Sequence, residues 1–379
     1  MGLGVLALLT TAFVMTNSVA PHLGANHDLL GRLTNLETLR TSGNIYSPFG
    51  VEAFTYPPGA ILLFLPILWI PMGLLPFLWT LVSLLALVVV FAVVLSRHLH
   101  KSRAVTAAVA CWAAVIAAFA FPPVTECLTW GQTGTLLLAL IVVDYLVLRG
   151  PANGILVGLA TAFKIYPCLF IVVWMMRRQW RAAFTAIVTF CIVTGLAWLL
   201  WPESASAYVS KLVLGGSELA HFSTFQAMTA SSSFAALFSR PPFRPDLLND
   251  VGTIAISVVV VAAGLFGAQR LWRRNLELNA MTLVLVTSAI GAPLAWDHYF
   301  IFAPLLLLTP LEVGWKSPLG RIAIGAAAIM TFPWFHFRRP ISSTFWEITY
   351  SFTARNAILF ASLALLTVAF ADRSAVELS

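Results

Sequence analysis

His22–Pro58 reads HLGANHDLLGRLTNLETLRTSGNIYSPFGVEAFTYPP and is the first long polar interruption between apolar runs in this chain. An apolar run at 3–20 precedes it, and about a dozen apolar residues, Gly59 to Ile70, follow it. An apolar helix of about 20 residues crosses a hydrocarbon core about 30 Å thick, so a polar stretch directly after one lies at a membrane–water boundary. The stretch holds Asp28, about ten residues past the first apolar run. On position alone two readings stand level. Asp28 is either a carboxylate placed at the boundary for chemistry, or a helix cap or solvated loop acid, since LLGRLTNLETLR behind it has helical spacing.

Outward from that stretch, composition decides the class. Hydrophobic residues are 60% and charged residues 10% of 379, with mean hydropathy +0.90. That excludes a soluble globular core and requires an all-α polytopic membrane protein. One integral membrane domain over 1–379 is expected, with a first outer loop at 21–58 and a long outer loop at 202–250. The net charge of +7 comes as short basic clusters between apolar runs, so it reads as a topology signal, and no nucleic-acid partner is expected. The cysteines, Cys111, Cys127, Cys168 and Cys191, lack CxxC spacing and suggest neither a zinc site nor a disulfide framework. The N-terminal run lacks the positively charged start of a signal peptide and reads as a retained helix.

Apolar runs fall at 3–20, 74–96, 104–121, 133–148, 182–200, 252–269, 279–293, 297–311, 320–334 and 352–371. Gly59 to Ile70 is short of the roughly 17 residues a span needs and reads as a re-entrant helix. Counting it as a span would put Arg97, Lys101 and Arg103 outside, against the positive-inside rule. Residues 151–176 are bounded by Arg149 and by Arg177, Arg178 and Arg181, so both ends read as cytoplasmic. An even number of passes satisfies that, as two short helices meeting near Phe163–Pro167. The result is about 12 transmembrane helices in the plasma membrane with both termini cytoplasmic. Ten of the 15 carboxylates, Asp28 and Glu126 among them, then lie outside.

Several polar groups collect at the expected outer helix ends. Glu126 and Gln132, in ECLTWGQTG, can hydrogen-bond a polyol, or belong to an ordinary interhelical loop with a capping threonine. Trp296-Asp297-His298-Tyr299 occupies a tight outer turn. Interfacial aromatics need no further function, but an adjacent acid and histidine add proton and phosphate chemistry. Lys164 sits inside the apolar hairpin, where an unsolvated lysine costs at least about 2.5 kcal/mol, so it faces a polar cavity or snorkels to the interface. Asp144 is the other charge inside an apolar run. Arg338-Arg339 beside aromatics suits a phosphate headgroup or anionic lipid. No HExxH, P-loop, GxSxG or dinucleotide fingerprint is present, which leaves group transfer from a lipid carrier as the enzyme class with support. A transporter or flippase would instead show two equivalent halves with broken helices and midplane charges.

The order His27-Asp28, Gly43-Asn44-Ile45-Tyr46, Tyr56-Pro57-Pro58, Gly131-Gln132, Gly158 through Lys164 with Pro167, and Trp296-Asp297-His298-Tyr299 resembles glycosyltransferase family 87. These polytopic enzymes of the GT-C superfamily use polyprenyl-phosphate sugars. The resemblance implies a GT-C-like bundle with extracytoplasmic loops and inverting transfer of mannose from polyprenyl-phosphate-mannose to a glycolipid acceptor resembling a phosphatidylinositol mannoside. An arabinofuranosyltransferase of the same family, or a lipid-linked sugar flippase, is the alternative. By the resemblance Asp28 is the catalytic base and His298 lies near the donor phosphate. Lys164, Tyr56, Glu126, Gln132, Trp296, Asp297, Arg338 and Arg339 are the further candidate substrate contacts. At the position of Asp28 the chain has a single acid where the family has an acidic pair, so no metal is expected, and no cofactor either.

Overall fold

A computed structural model describes residues 2–17, 26–46, 54–213, 246–292, 295, 297–332 and 345–371. Every regular element among them is helical, as hydrocarbon demands of a backbone that can find no other hydrogen bonds. In chain order they are α1 (Gly2–Asn17), α2 (His27–Ser42), α3 (Gly59–Phe64, continued by the 3-10 turn Leu65–Trp69), α4 (Leu75–His98), α5 (Arg103–Ala120) and α6 (Pro122–Thr129). Then follow α7 (Gly134–Leu146), α8 (Ile155–Phe163), α9 (Cys168–Met176), α10 (Trp180–Leu200) and α11 (Pro202–Ala207). The remainder are α12 (Asp246–Arg273), α13 (Glu277–Ile290), α14 (Pro310–Val313), α15 (Pro318–Met330) and α16 (Phe345–Ala371).

Among the described residues, α4, α5, α10 and residues Ile254–Arg273 of α12 are each long and apolar enough to cross a bilayer. α6 and α7 meet the same standard as one span bent by 114°. Apolar side chains such as Phe184, Ile192 and Leu199 on α10, and Val258 and Val259 on α12, point outward. In water that exposure would cost about 25 cal/mol per Å² of apolar surface; against lipid tails it costs nothing of the kind. The chain is therefore a polytopic helical membrane protein. Shorter apolar helices of 10–17 residues complete it.

The two segments of awkward length fold as short pieces. Gly59–Trp69 is an α-turn pair that relaxes into 3-10 geometry at Pro66. α8 and α9 meet at Lys164–Pro167, where Pro167 precedes the first turn of α9 and Lys164 leaves α8 with extended backbone.

The structure divides into two units, residues 1–119 with 124–222, and residues 120–123 with 223–379. In the first, α1 packs on α4, α4 on α7, α7 on α8, and α8 on α10, while α3 lies against α8 and α10. The α8–α10 crossing is close because of Gly154 and Gly158; a Cβ at Gly158 would stand 2.6 Å from the Ala186 carbonyl oxygen. In the second unit α12 packs on α13 and α16, and α15 on α16 and the turn Ala303–Leu308. There the Glu312 carboxylate accepts the Leu278 and Asn279 amides at 2.9 Å and caps α13.

Candidate active site

Helix breaks supply the site, because a break frees polar backbone and side chains that an unbroken apolar helix would not carry. The first is at Asn26, which precedes α2 in left-handed conformation (φ 59°, ψ 35°). Its amide donates to the Thr129 carbonyl at 2.8 Å, and the Asp28 amide donates to the Trp130 carbonyl at 3.1 Å. The second break, between α6 and α7, thus holds the start of α2 by its carbonyls. Gly131 makes the approach possible: at φ +71° a Cβ would lie 2.7 Å from both Asn26 Oδ1 and Leu29 Cβ.

Asp28 occupies the first turn of α2, where the helix N-terminus favours an acid. It is not the cap. Asn26 holds the N-cap position, and the Asp28 carboxylate reaches across the chain, with Oδ2 accepting from Gln132 Nε2. Oδ1 lies 3.8 Å from His27 Nδ1, and the side chain keeps 26% of its surface exposed. One carboxylate oxygen is fixed and the group remains reachable.

Gln132 is buried, and both its polar atoms are engaged. Oε1 accepts the Tyr56 hydroxyl at 3.3 Å and takes a long contact of 3.5 Å from Lys164 Nζ. The amide orientation follows from its neighbours, since the flipped form would set oxygen against carboxylate and NH₂ against ammonium. Gln132 joins the acid to the lysine. Lys164 is half-buried, not extended to the surface, and its position is set by α8.

The other end of α8 is anchored by Asp144. Its Oδ1 accepts the Gly154 amide at 2.7 Å and Asn153 Nδ2 at 3.4 Å, while Oδ2 accepts the Val157 amide at 2.7 Å. A fully buried carboxylate is thereby satisfied at a helix N-terminus.

Tyr56 is the floor of the cluster. The Lys164 ammonium and the Arg32 guanidinium carbon each stand 5.1 Å from its ring centroid. The Phe64 and Phe163 rings meet it edge-on at 5.5 Å. Its carbonyl accepts the Tyr46 hydroxyl at 2.6 Å. Burial, with Tyr208 nearby, pushes the Tyr46 hydroxyl far above its ordinary range, so it remains a donor. The turn carrying Tyr46 is clasped by Ser204, whose Oγ accepts the Ile45 amide at 3.1 Å and donates to the Gly43 carbonyl at 3.2 Å.

Asp28, Gln132, Tyr56 and Lys164 are thus brought together. Glu126 is half-buried on α6, next in sequence to the buried Cys127. His298 belongs to the second unit, buried in the turn Asp297–Phe300 with its ring 5.2 Å from that of Tyr299. Trp296, the Asp297 side chain, Arg338 and Arg339 lie outside the described residues. Among the described residues no three His, Cys, Asp or Glu side chains gather as metal ligands do. Arg32 escaped the sequence reading; its signal was the four-residue spacing from Asp28 on a helical stretch, which sets both on one face.

A polyprenol-phosphate-mannose-dependent alpha-(1-2)-phosphatidylinositol mannoside mannosyltransferase of Mycobacterium tuberculosis is 27% identical over 288 residues, covering 72% of this chain. The match spans 65% of that relative's length, just under two thirds. A polyprenol-phosphate-mannose-dependent alpha-(1-2)-phosphatidylinositol pentamannoside mannosyltransferase of Mycolicibacterium smegmatis is 24% identical over 301 residues, covering 78% of this chain and 70% of the relative. No solved structure matches. The model of glycosyltransferase family 87 matches residues 54–296, a stretch that contains Tyr56, Gln132 and Lys164 and begins after Asp28. That is more than half of the sequence, and the chain belongs to glycosyltransferase family 87.

Proposed function

We propose that this protein transfers mannose from polyprenyl-phosphate-mannose to a glycolipid resembling a phosphatidylinositol mannoside, with inversion, at the extracytoplasmic face of the plasma membrane. The observation that carries the reading is one carboxamide, Gln132, hydrogen-bonded to an accessible acid on one side and to a lysine on the other. A single displacement on a sugar phosphodiester needs little more than this pairing. An acceptor hydroxyl oxygen forms a bond to the anomeric carbon, the bond from that carbon to the phosphate oxygen breaks, and its electron pair leaves with the polyprenyl phosphate. The hydroxyl proton passes to the Asp28 carboxylate, and no covalent intermediate on the protein is required. The names of the relatives support mannose as the sugar and a phosphatidylinositol mannoside as the acceptor.

The proposed architecture is one membrane domain of about 12 passes, in which Gly59–Trp69 is a re-entrant wall beside the site and both termini are cytoplasmic. Single cysteines placed beside Arg149 and beside Gln179 are expected to label from the cytoplasmic side alone; opposite labelling overturns the topology. For the reaction, purified protein in nanodiscs is given radiolabelled polyprenyl-phosphate-mannose and phosphatidylinositol dimannoside. Transfer by the wild type, reduced at least about a hundredfold in Asp28→Asn, is the expected result. Transfer at the wild-type rate in that variant removes Asp28 as the base.

A further inference from the structure

Residues 57–79 include no charged side chain, no hydroxyl and no side-chain amide. A run of that length could cross a bilayer, yet it folds as two pieces, α3 with its 3-10 turn and the start of α4, joined by residues 70–74. Pro66, Pro71 and Gly73 favour the break. At this tip the apolar side chains face outward: Trp69 is 86% exposed and Met72 59%, with Leu68 and Leu74 exposed beside them. The roots of the same segment are buried. Ile67 and Leu75 close off the interior, and the Phe64 ring meets Tyr56 edge-on at 5.5 Å and Phe163 at 4.7 Å. α3 and its 3-10 turn, about 20 Å long, therefore connect the candidate site to an exposed apolar tip.

We infer that residues 68–74 form a membrane lip of the site: they lie at the boundary between headgroups and acyl chains, take leaflet lipid as their partner, and set the height of Tyr56 and its neighbours in that leaflet. Continuity supplies the partner. The tip passes directly into α4, a helix long and apolar enough to span, whose Val82, Leu85 and Val89 also point outward. A protein partner recognises a patch through polar contacts at its rim, and this tip offers none but the Trp69 indole; lipid needs none. The backbone supplies the depth. The Ile70 and Leu74 amides donate to the Ile67 and Pro71 carbonyls at 3.1 and 2.8 Å, and Pro66 and Pro71 have no amide to satisfy. The Met72 and Gly73 amides at the corner have no backbone acceptor among the described residues, which closes the hydrocarbon centre to them. Lipid ester and phosphate oxygens lie at the boundary, and an indole with one polar edge settles at the same level. The lip is then immersed by about 5–10 Å, as interfacial helices are. A site held at that height meets a sugar carried on lipid in preference to one in bulk water, and this last step rests on the transfer reaction proposed above.

The test places a nitroxide at position 72 of the full chain in nanodiscs, as Met72→Cys with Cys111, Cys127, Cys168 and Cys191 changed to alanine. Its collisions with oxygen and with a water-soluble nickel chelate are compared with those of labels at Val89→Cys on α4, the hydrocarbon reference, and Arg40→Cys on α2, the water reference. The label at 72 is expected between the two, with nickel collisions at least about threefold below those at 40 and oxygen collisions above them. A label at 72 as wet as that at 40, as deep as that at 89, or closed to both reagents as under a second copy or another segment, overturns the inference. Should the cysteine-free chain fail to fold, the depth is read in the chain with its own cysteines from the tryptophan emission that Trp69→Phe removes. That emission is expected to be quenched more by lipids brominated near the glycerol end of the acyl chain than by lipids brominated at its far end; any other order, or no quenching, overturns the inference. For the height of the site, Trp69→Ser combined with Met72→Ser should raise KM for the lipid acceptor about fivefold, with kcat and the KM for a water-soluble short-chain mannoside unchanged. An equal rise for both acceptors, or none, overturns that role. The depth measurements need no transfer, so a lip found at the boundary in a protein that moves no mannose defeats the reaction and not the lip.

Discussion

Asp28 and Asp144 flank the same helix, α7, one reached through Gln132 just before it and the other in its last turns, and they are treated in opposite ways. Asp144 is fully buried and its two oxygens take two backbone amides and an asparagine amide. Every acceptor it has is used to start α8. Asp28 keeps a quarter of its surface and receives one side-chain donor on one oxygen. A carboxylate saturated with backbone donors is a piece of the scaffold; one oriented by a single amide and left open is available to a proton. Burial alone would have ranked them the other way round.

The comparison breaks most visibly at Asp28. Asp28→Asn is expected to lower transfer by about 100 to 10,000-fold while thermal unfolding stays within about 0.5 kcal/mol of wild type, because Asn keeps the shape and the helix start. Asp144→Ala should give the reverse pattern. It orphans two buried amides at the α8 N-terminus and should destabilise by about 3 kcal/mol, read as a lower unfolding midpoint in detergent. A variant of Asp144 that unfolds normally but transfers no sugar would erase the distinction between the two acids.

Gly131→Ala probes how Asp28 is delivered. A side chain at φ +71° that also meets Asn26 and Leu29 at 2.7 Å should cost about 2 kcal/mol, and the strain should displace the start of α2, lowering transfer with stability. If activity survives the loss of stability, the contact between the two breaks does not set the acid. The smallest effect belongs to Gln132→Leu. It removes the amide that orients Asp28 and should reduce kcat about tenfold with donor KM nearly unchanged, as expected of a residue that positions a base and touches no substrate. A change in donor KM alone would assign Gln132 to the donor and not to Asp28.

Much of this was legible in the chain. Apolar run length located the long helices, and the mismatch between run length and flanking arginines pointed to two short helices, α8 and α9, broken near Lys164. Asp28 stood out because so few polar stretches exist in a sequence this apolar. What the residues could not show is who bonds to whom across the chain. Asp144 was visible as a charge inside an apolar run, but its role as a cap depends on Asn153-Gly154 turning back toward it. Gln132 was visible beside a glycine, but only the contact between α2 and the α6–α7 break shows that its amide is occupied by protein. Arg32 lay within a stretch read only for its helical spacing, and nothing local to it announces that it stands over Tyr56.

The clasp of Ser204 on the Gly43–Tyr46 turn has a consequence for how the protein is made. The two partners are about 160 residues apart in sequence. At ribosomal speeds of about 5–20 residues per second, Ser204 is synthesised on the order of ten seconds or more after the turn it fastens. Through that interval α3 to α10 are made while the Gly43–Tyr46 turn is still unlatched. The Asp28–Gln132 bond, over 104 residues, can close earlier, once Gln132 has been made. A nascent chain halted before α11 therefore holds every side chain of the first-unit cluster but not the fastening of the turn whose Tyr46 hydroxyl bonds the Tyr56 carbonyl.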